Sequence, residues 1–192
     1  MDDPFDILGL QPTFDLTPQQ VAAAHLRVCA QCHPDRARDP LERDAFMRRT
    51  AAAGQAKQQL TDPVSRAQAI LVRSGAPATA DTPLDQAFLM ETMELREAIE
   101  EALADPDQQG AAAVQAQVAA LRQECLDELR AACATVLASS GGAQPGSAAA
   151  PAASAAAPAG GAASAAAPAA LRAVLARLRF LERMASRLAE AR

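Results

Sequence analysis

The stretch Cys29-Ala-Gln-Cys-His-Pro-Asp-Arg36 decides how the N-terminal part of this chain folds. Pro34 has a fixed φ and disfavours the helical conformation for the residue before it, so a helix that precedes His33 must end there. The stretch contains two overlapping patterns with different meanings. Cys-x-x-Cys-His is the pattern that attaches a c-type haem, whereas His-Pro-Asp presents an imidazole and a carboxylate in a loop. The sequence on either side has to discriminate between them.

Apolar residues on both sides of this stretch recur at helical spacing, which predicts one helix before it and one after it. The residues that share a face are Val21, His25, Val28 and Cys32 in the first helix and Phe46, Ala53, Ala56 and Leu60 in the second. Two antiparallel helices joined by a short loop form a hairpin, so we expect His33, Pro34 and Asp35 at its tip. Phe5 and Leu8 are available to cover its base.

Helix starts are marked by five dipeptides in which a capping residue precedes Pro at the first helical position. They are Thr17-Pro18, Asp39-Pro40, Asp62-Pro63, Thr82-Pro83 and Asp105-Pro106. With the apolar periodicity, they predict helices over 4–10, 18–32, 40–60, 63–73, 83–103, 106–138 and 169–191. No segment shows the alternation that is typical of a strand. The chain is therefore predicted to be all-α.

These helices predict two domains. The hairpin and its neighbours form the first over 1–75, residues 76–82 form a linker, and a three-helix bundle occupies 83–192. Residues 139–170 consist almost wholly of Ala, Gly, Ser and Pro. Such a segment lacks the large apolar side chains that a core needs, so we expect a disordered insertion within the bundle.

The composition argues against several classes of function. A net charge of -5 disfavours a general nucleic-acid or anionic-membrane binder. The absence of a signal peptide, and of a run of about 20 apolar residues free of Pro and Gly, predicts a cytoplasmic protein without a membrane span. The four Cys are expected to be reduced and to act as small apolar residues. The sequence contains no combination of a nucleophile, a base and an orienting group that suggests a catalytic site, so we expect no enzyme activity. We also expect no cofactor and no bound metal.

Several segments extend the His-Pro-Asp pattern into a known family. Phe5-Asp-Ile-Leu-Gly-Leu10 resembles the first-helix motif of J-domains, whose loop tripeptide is matched by His33-Pro34-Asp35. Asp62-Pro-Val-Ser-Arg-Ala67, Phe88-Leu-Met-Glu-Thr-Met-Glu-Leu-Arg-Glu97 and Leu178-Arg-Phe-Leu-Glu182 resemble HscB, the J-type co-chaperone of iron–sulfur cluster assembly. The resemblance covers nearly the whole chain apart from the Ala- and Pro-rich segment. It implies an N-terminal J-domain helical hairpin followed by a C-terminal three-helix bundle.

The resemblance also implies two binding sites and no catalytic site. The first engages the DnaK-type chaperone HscA and stimulates its ATPase, and its residues are Arg27, His33, Pro34, Asp35 and Arg36. The second binds the scaffold protein IscU, and its residues are Leu89, Met90, Met93, Glu94, Glu97 and Phe180. The chain departs from most J-domains because Arg27 is the only basic residue of the helix before the tripeptide. Electrostatic steering should therefore be weaker, or moved to Arg36 and Arg38 in the loop.

Several features of the sequence fit more than one interpretation. On the helix over 83–103, the face that we expect to be buried consists of Phe88, Leu95 and Ile99, with Leu84 and Leu103 near the ends. A second stripe, Leu89 or Met90 with Met93 and then Glu97, is either an exposed patch or a second core face, since Met suits both. The last helix is expected to bury Leu171, Val174, Leu178, Leu181 and Leu188, with Phe180 and Met184 off that stripe. A general J-type co-chaperone with a different client is the main functional alternative. A covalent haem protein is another, although His25, the only other His, lies in the same helix as the Cys pair.

Overall fold

The structure, a computed structural model, describes residues 3–77, 86–104, 110–140 and 161–190. Those residues form seven α-helices and one 3-10 helical turn, and no strand occurs among them. The elements are α1 (Pro4–Leu8), α2 (Pro18–Gln31), the 3-10 turn (Pro34–Arg36), α3 (Pro40–Thr61), α4 (Pro63–Arg73), α5 (Gln86–Ala104), α6 (Ala111–Ser140) and α7 (Gly161–Glu190). The predicted all-α class is confirmed.

Side-chain caps begin the N-terminal helices where the Pro-containing dipeptides predict them. At α2 the Gln20 N–H donates to Thr17 Oγ1 at 3.2 Å, and the Thr17 N–H donates to Gln20 Oε1 at 2.8 Å. This reciprocal capping box pairs two donors that would otherwise lack a partner. Asp39 and Asp62 cap α3 and α4 with their carboxylates. The dipeptides Thr82-Pro83 and Asp105-Pro106 lie outside the described residues.

The described residues group into two compact units. The first unit comprises the described residues within Met1–Ala78 and Cys133–Ala143. The second comprises those within Thr79–Ala132 and Gln144–Arg192. The end of α6, from Cys133 onward, is grouped with the N-terminal unit. The division into domains at 1–75 and 83–192 stays a prediction.

Helix α3 is the centre of the N-terminal unit, because it contacts α1, α2, α4 and the 3-10 turn. The hairpin of α2 and α3 packs through small residues, including Ala24, Ala53 and Ala56, all of which are buried. Phe5 and Leu8 are buried as predicted. Other members of the predicted faces, His25 and Phe46, are only half-buried.

Arg66 supports this unit from inside, although its side chain is charged. Its guanidinium donates to the carbonyl oxygens of Leu60 at 2.8 Å and Thr61 at 3.3 Å, and also to that of Phe14. The same group lies 5.6 Å from the centre of the Phe14 ring. Burial lowers the pKa of Arg66 from its usual value, and Asp62 and Asp15 act in the opposite direction. Because the charge is hydrogen-bonded on several sides, it ties the segment before α2 to the junction of α3 and α4.

The second unit buries one stripe from each of its helices. On α5 the stripe comprises Phe88, Thr92, Leu95 and Ile99, and on α7 it comprises Leu171, Leu175, Leu178, Leu181 and Met184. The prediction for α7 was wrong at two positions: Val174 is half-buried and Met184 is in the core. The reason is helical phase, because successive steps of four and three residues carry the stripe from Leu171 through Leu175 to Leu178. Leu84 lies outside the described residues, as do the side chains of Leu103 and Leu188.

The predicted Ala- and Pro-rich insertion overlaps two helices. Residues 139 and 140 end α6, and α7 begins at Gly161 rather than near Ala169. Ala is the best helix former, so an Ala-rich segment extends α7 even though Pro168 lies within it. Residues 141–160, the remainder of the predicted insertion, lie outside the described residues.

Candidate functional site

The first candidate site is the tip of the hairpin, which we define as His33, Pro34, Asp35 and Arg36. His33 has an extended backbone and precedes the 3-10 turn. The side chains of His33 and Asp35 are 58% and 83% exposed. Pro34 ends α2 and starts the turn, as the sequence predicts. The tip therefore presents an imidazole and a carboxylate to solvent.

Hydrogen bonds hold the tip in one conformation. The Asp35 N–H donates to His33 Nδ1 at 3.3 Å, and this nitrogen lies 3.5 Å from Asp35 Oδ2. Arg36 donates from its guanidinium to the carbonyl oxygen of Ala30 at 3.0 Å, in the last turn of α2. Thr50 of α3 donates to the Cys32 carbonyl oxygen at 3.4 Å. These contacts orient the imidazole and the carboxylate before any partner arrives.

The surface of α2 beside the tip has little charge. Arg27 is exposed, and it is the one basic residue of α2. Leu26, next to it, is 67% exposed. This combination fits the weaker electrostatic steering expected from the sequence.

The second candidate site is on α5, opposite the stripe that α5 buries. Leu89, Met90 and Met93 are 44%, 62% and 65% exposed, and Glu94 and Glu97 are exposed beside them. We call these five residues the α5 patch. The alternative of a second core face is wrong for Leu89, Met90 and Met93. A cluster of exposed large apolar side chains often marks an interaction site, whereas a single exposed apolar side chain usually does not.

Phe180, the remaining predicted scaffold-binding residue, lies differently from the α5 patch. It is half-buried, and its ring packs edge-on against that of Phe88, with 5.9 Å between centres and 80° between planes. Arg183 lies 5.9 Å from the centre of the Phe180 ring. Phe88 directly precedes Leu89, so the structure brings Phe180 to the same end of α5 as the α5 patch. Part of its surface nevertheless supports the bundle.

Arg177 is a residue of this region that the sequence did not single out. Its guanidinium lies 4.9 Å from the centre of the Phe88 ring on α5 and donates to Glu128 Oε2 on α6 at 2.9 Å. One side chain of α7 thus joins all three helices. Its Nε is buried and has no hydrogen-bond partner. No spacing rule identifies such a residue, because its partners come from two other helices.

One cavity between the helices of this unit is too small for a small-molecule substrate. This cavity of about 30 Å³ is lined by Phe88, Thr92, Cys125 and Arg177. Typical ligand pockets are far larger, at ~300 Å³ or more.

Among residues 3–77, 86–104, 110–140 and 161–190, no group of three His, Cys, Asp or Glu side chains is arranged to hold a metal ion. No helix in the part of the chain that the structure describes is long and apolar enough to cross a membrane.

Known proteins match this chain in sequence. Residues 84–150 match the family described as the HSCB C-terminal oligomerisation domain. A co-chaperone protein HscB homolog from Bordetella petrii is 36% identical over 140 residues, covering 71% of this chain and 79% of that protein. The homolog from Bordetella pertussis is 38% identical over 133 residues, covering 67% of this chain and 78% of that protein.

Solved structures of HscB chaperones share this fold. The chaperone HscB from Vibrio cholerae aligns with a TM-score of 0.69 and 21% identity, over 98% of this chain and 96% of that one. Human co-chaperone HscB aligns with a TM-score of 0.70 and 17% identity, over 99% of this chain and 82% of that one. The TM-scores show a shared fold, and at identities this low the likeness shows the fold alone.

Proposed function

This chain belongs to the HscB family of co-chaperones, and we propose that it couples the DnaK-type chaperone HscA to the scaffold protein IscU in the cytoplasm. It acts on iron–sulfur cluster assembly by stimulating ATP hydrolysis in HscA and by delivering IscU. In this proposal the chain is not itself an enzyme and needs no cofactor. It bears one site for each partner, and neither site involves nucleic acid or a membrane.

The hairpin tip is the single observation that carries the chaperone half of the proposal. His33 and Asp35 are exposed, and their relative position is held by the Asp35 N–H and by the anchoring of Arg36 to α2. A preorganised pair of polar groups binds with less loss of conformational entropy than a mobile loop does. Pro34, Arg36 and Arg27 complete the surface that we assign to HscA.

The α5 patch supports the scaffold half of the proposal. Its apolar area comes from Leu89, Met90 and Met93, and its negative charge from Glu94 and Glu97. A partner that fits it presents an apolar surface next to basic side chains. Phe180 contributes through its exposed part and by packing against Phe88. Two modest sites on one chain raise the effective concentration of the client at the chaperone.

ATP turnover by HscA tests this proposal directly. The rate is measured with this protein alone, with IscU alone and with both together. We expect the pair to stimulate far more than either protein does by itself. If this protein stimulates alone and IscU adds nothing, the chain is a general J-type co-chaperone whose client is different. If no combination stimulates, the assignment of the tip is wrong.

A further inference from the structure

The end of α2 carries two thiols and an imidazole that the co-chaperone function does not use. Cys29 is half-buried, and its Sγ lies 3.4 Å from His25 Nε2, one helical turn away. Cys32 is 2% exposed and is the C-cap residue of α2, directly before His33. Cys32 therefore adjoins the hairpin tip, and Cys29 and His25 lie about one and two helical turns before it.

The other two cysteines have different surroundings. Cys125 and Cys133 are buried, and burial raises the pKa of both thiols, that of Cys133 to about 12. A raised pKa keeps a thiol protonated, and the protonated form is a poor nucleophile. Cys29 is more accessible, and the His25 imidazole within reach of its Sγ places a proton acceptor beside this thiol. The chain thus contains one partly accessible thiol, Cys29, with Cys32 three residues further along the helix, and two buried thiols whose pKa burial raises.

We propose that Cys29 and Cys32 form a peroxide-sensitive dithiol, assisted by His25, whose oxidation to a disulfide distorts the end of α2 and inactivates the adjacent hairpin tip. The disulfide itself needs only these three residues. The consequence for the chaperone rests on the proposed function.

The chemistry proceeds in two balanced steps. The Cys29 thiolate attacks one oxygen of a hydroperoxide, so that an S–O bond forms and the O–O bond breaks. The peroxide is reduced by two electrons and leaves as an alcohol or water after taking up the proton that His25 held. Cys32 then attacks the sulfenic acid sulfur of Cys29. An S–S bond forms, and hydroxide leaves with the Cys32 proton as water.

Geometry couples this bond to the tip. Residues three apart in a helix have Cα atoms about 5 Å apart, which a disulfide permits. Their Cβ atoms, however, are about 5–6 Å apart, whereas a disulfide brings them to about 3.8 Å. Closing the bond must therefore distort the last turn of α2. That turn supplies the carbonyl oxygens of Ala30 and Cys32, which accept from Arg36 and Thr50.

Peroxide treatment of the full-length protein tests the site. The reduced protein is exposed to hydrogen peroxide, the remaining thiols are alkylated under denaturing conditions, and the peptides are analysed by mass spectrometry. We expect a Cys29–Cys32 disulfide, with Cys125 and Cys133 still alkylated. His25→Ala should slow the loss of the Cys29 thiol by at least about tenfold. The matched control is His33→Gln, which replaces the other imidazole and should leave this rate unchanged.

Chaperone stimulation tests the coupling. We expect the oxidised protein to lose stimulation and to regain it with dithiothreitol, while Cys32→Ala keeps its stimulation after peroxide treatment. Oxidation of all four thiols at one rate, or an unchanged rate in His25→Ala, would overturn the site. A disulfide that leaves stimulation intact would overturn the coupling. If the reduced protein does not stimulate at all, the proposed function fails, and the thiol analysis still decides the site.

Discussion

The hairpin tip and the α5 patch differ in what holds them in place. Contacts close in sequence set most of the tip: Pro34 ends α2, His33 accepts from the Asp35 N–H, and Arg36 donates to the carbonyl oxygen of Ala30, six residues earlier. One contact comes from further along the chain, where Thr50 of α3 donates to the Cys32 carbonyl oxygen. The α5 patch depends instead on packing between helices, because its exposure follows from the burial of Phe88 and Leu95 on the opposite face. Substitutions at the tip should therefore alter function without altering folding. Substitutions around the α5 patch must be designed to separate the two effects.

The largest effect is expected from His33→Gln, which removes the imidazole from the tip. Stimulation of the HscA ATPase should fall to the rate of the chaperone alone. His33 is 58% exposed, so the free energy of unfolding should change by no more than about 0.5 kcal/mol. ATP turnover and urea unfolding of the same sample check both statements. Retained stimulation would show that the chaperone is engaged elsewhere.

The next effect is expected at the α5 patch, where Leu89→Ala and Met93→Ala are combined. Interface residues of this kind contribute about 1 kcal/mol each, so IscU affinity should fall by roughly thirtyfold. Calorimetric titration measures this, and stimulation by the protein alone should be unchanged. Leu41→Ala is the matched control, because Leu41 is a 78% exposed apolar residue outside both sites. An equal loss of affinity in Leu41→Ala would show that the α5 patch is not the IscU-binding site.

A smaller effect should follow from Arg177→Ala, which removes the contact with Phe88 and the ion pair with Glu128. A cation near an aromatic face and a partly exposed ion pair together contribute about 1–2 kcal/mol. We expect a decrease of that size in the unfolding free energy and a few-fold loss of IscU affinity. Arg177→Lys should recover part of the stability. If the substitution reduces stability without any change in affinity, Arg177 supports the bundle but not the α5 patch.

The smallest effect is expected from salt. Because α2 carries only Arg27 beside the tip, raising the ionic strength should slow association with the chaperone only modestly. Arg27→Ala should reduce the association rate by less than about tenfold and flatten the remaining salt dependence. Stopped-flow kinetics at several salt concentrations test this. A steep dependence that survives in Arg27→Ala would assign the steering to the loop residues Arg36 and Arg38.

Much of the fold and the position of the tripeptide in the loop between α2 and α3 follow from the sequence alone. Pro and its capping partners specify the starts of α2, α3 and α4, because they act within one helical turn. The loop position of His33, Pro34 and Asp35 also follows from a local cause, because Pro34 ends the preceding helix. Periodicity likewise identifies Phe88, Leu95 and Ile99 as core residues of α5. Each of these features depends on residues that are neighbours along the chain.

Other features depend on which helix packs against which. Periodicity marks two apolar stripes on α5, but only the tertiary structure decides that Leu89, Met90 and Met93 stay exposed. On α7, Val174 is half-buried and Met184 lies in the core, because the neighbouring helices decide which face of α7 is covered.

Arg66 and Arg177 show the same limit for charged residues. An arginine usually indicates a solvated surface, yet these two contact partners that are distant in sequence, Phe14 in one case and Phe88 and Glu128 in the other. The sequence determined the local geometry of the helices and of the tip, since its causes lie within a few residues. The tertiary structure decided which faces are covered, since burial depends on surfaces that meet only when the chain folds.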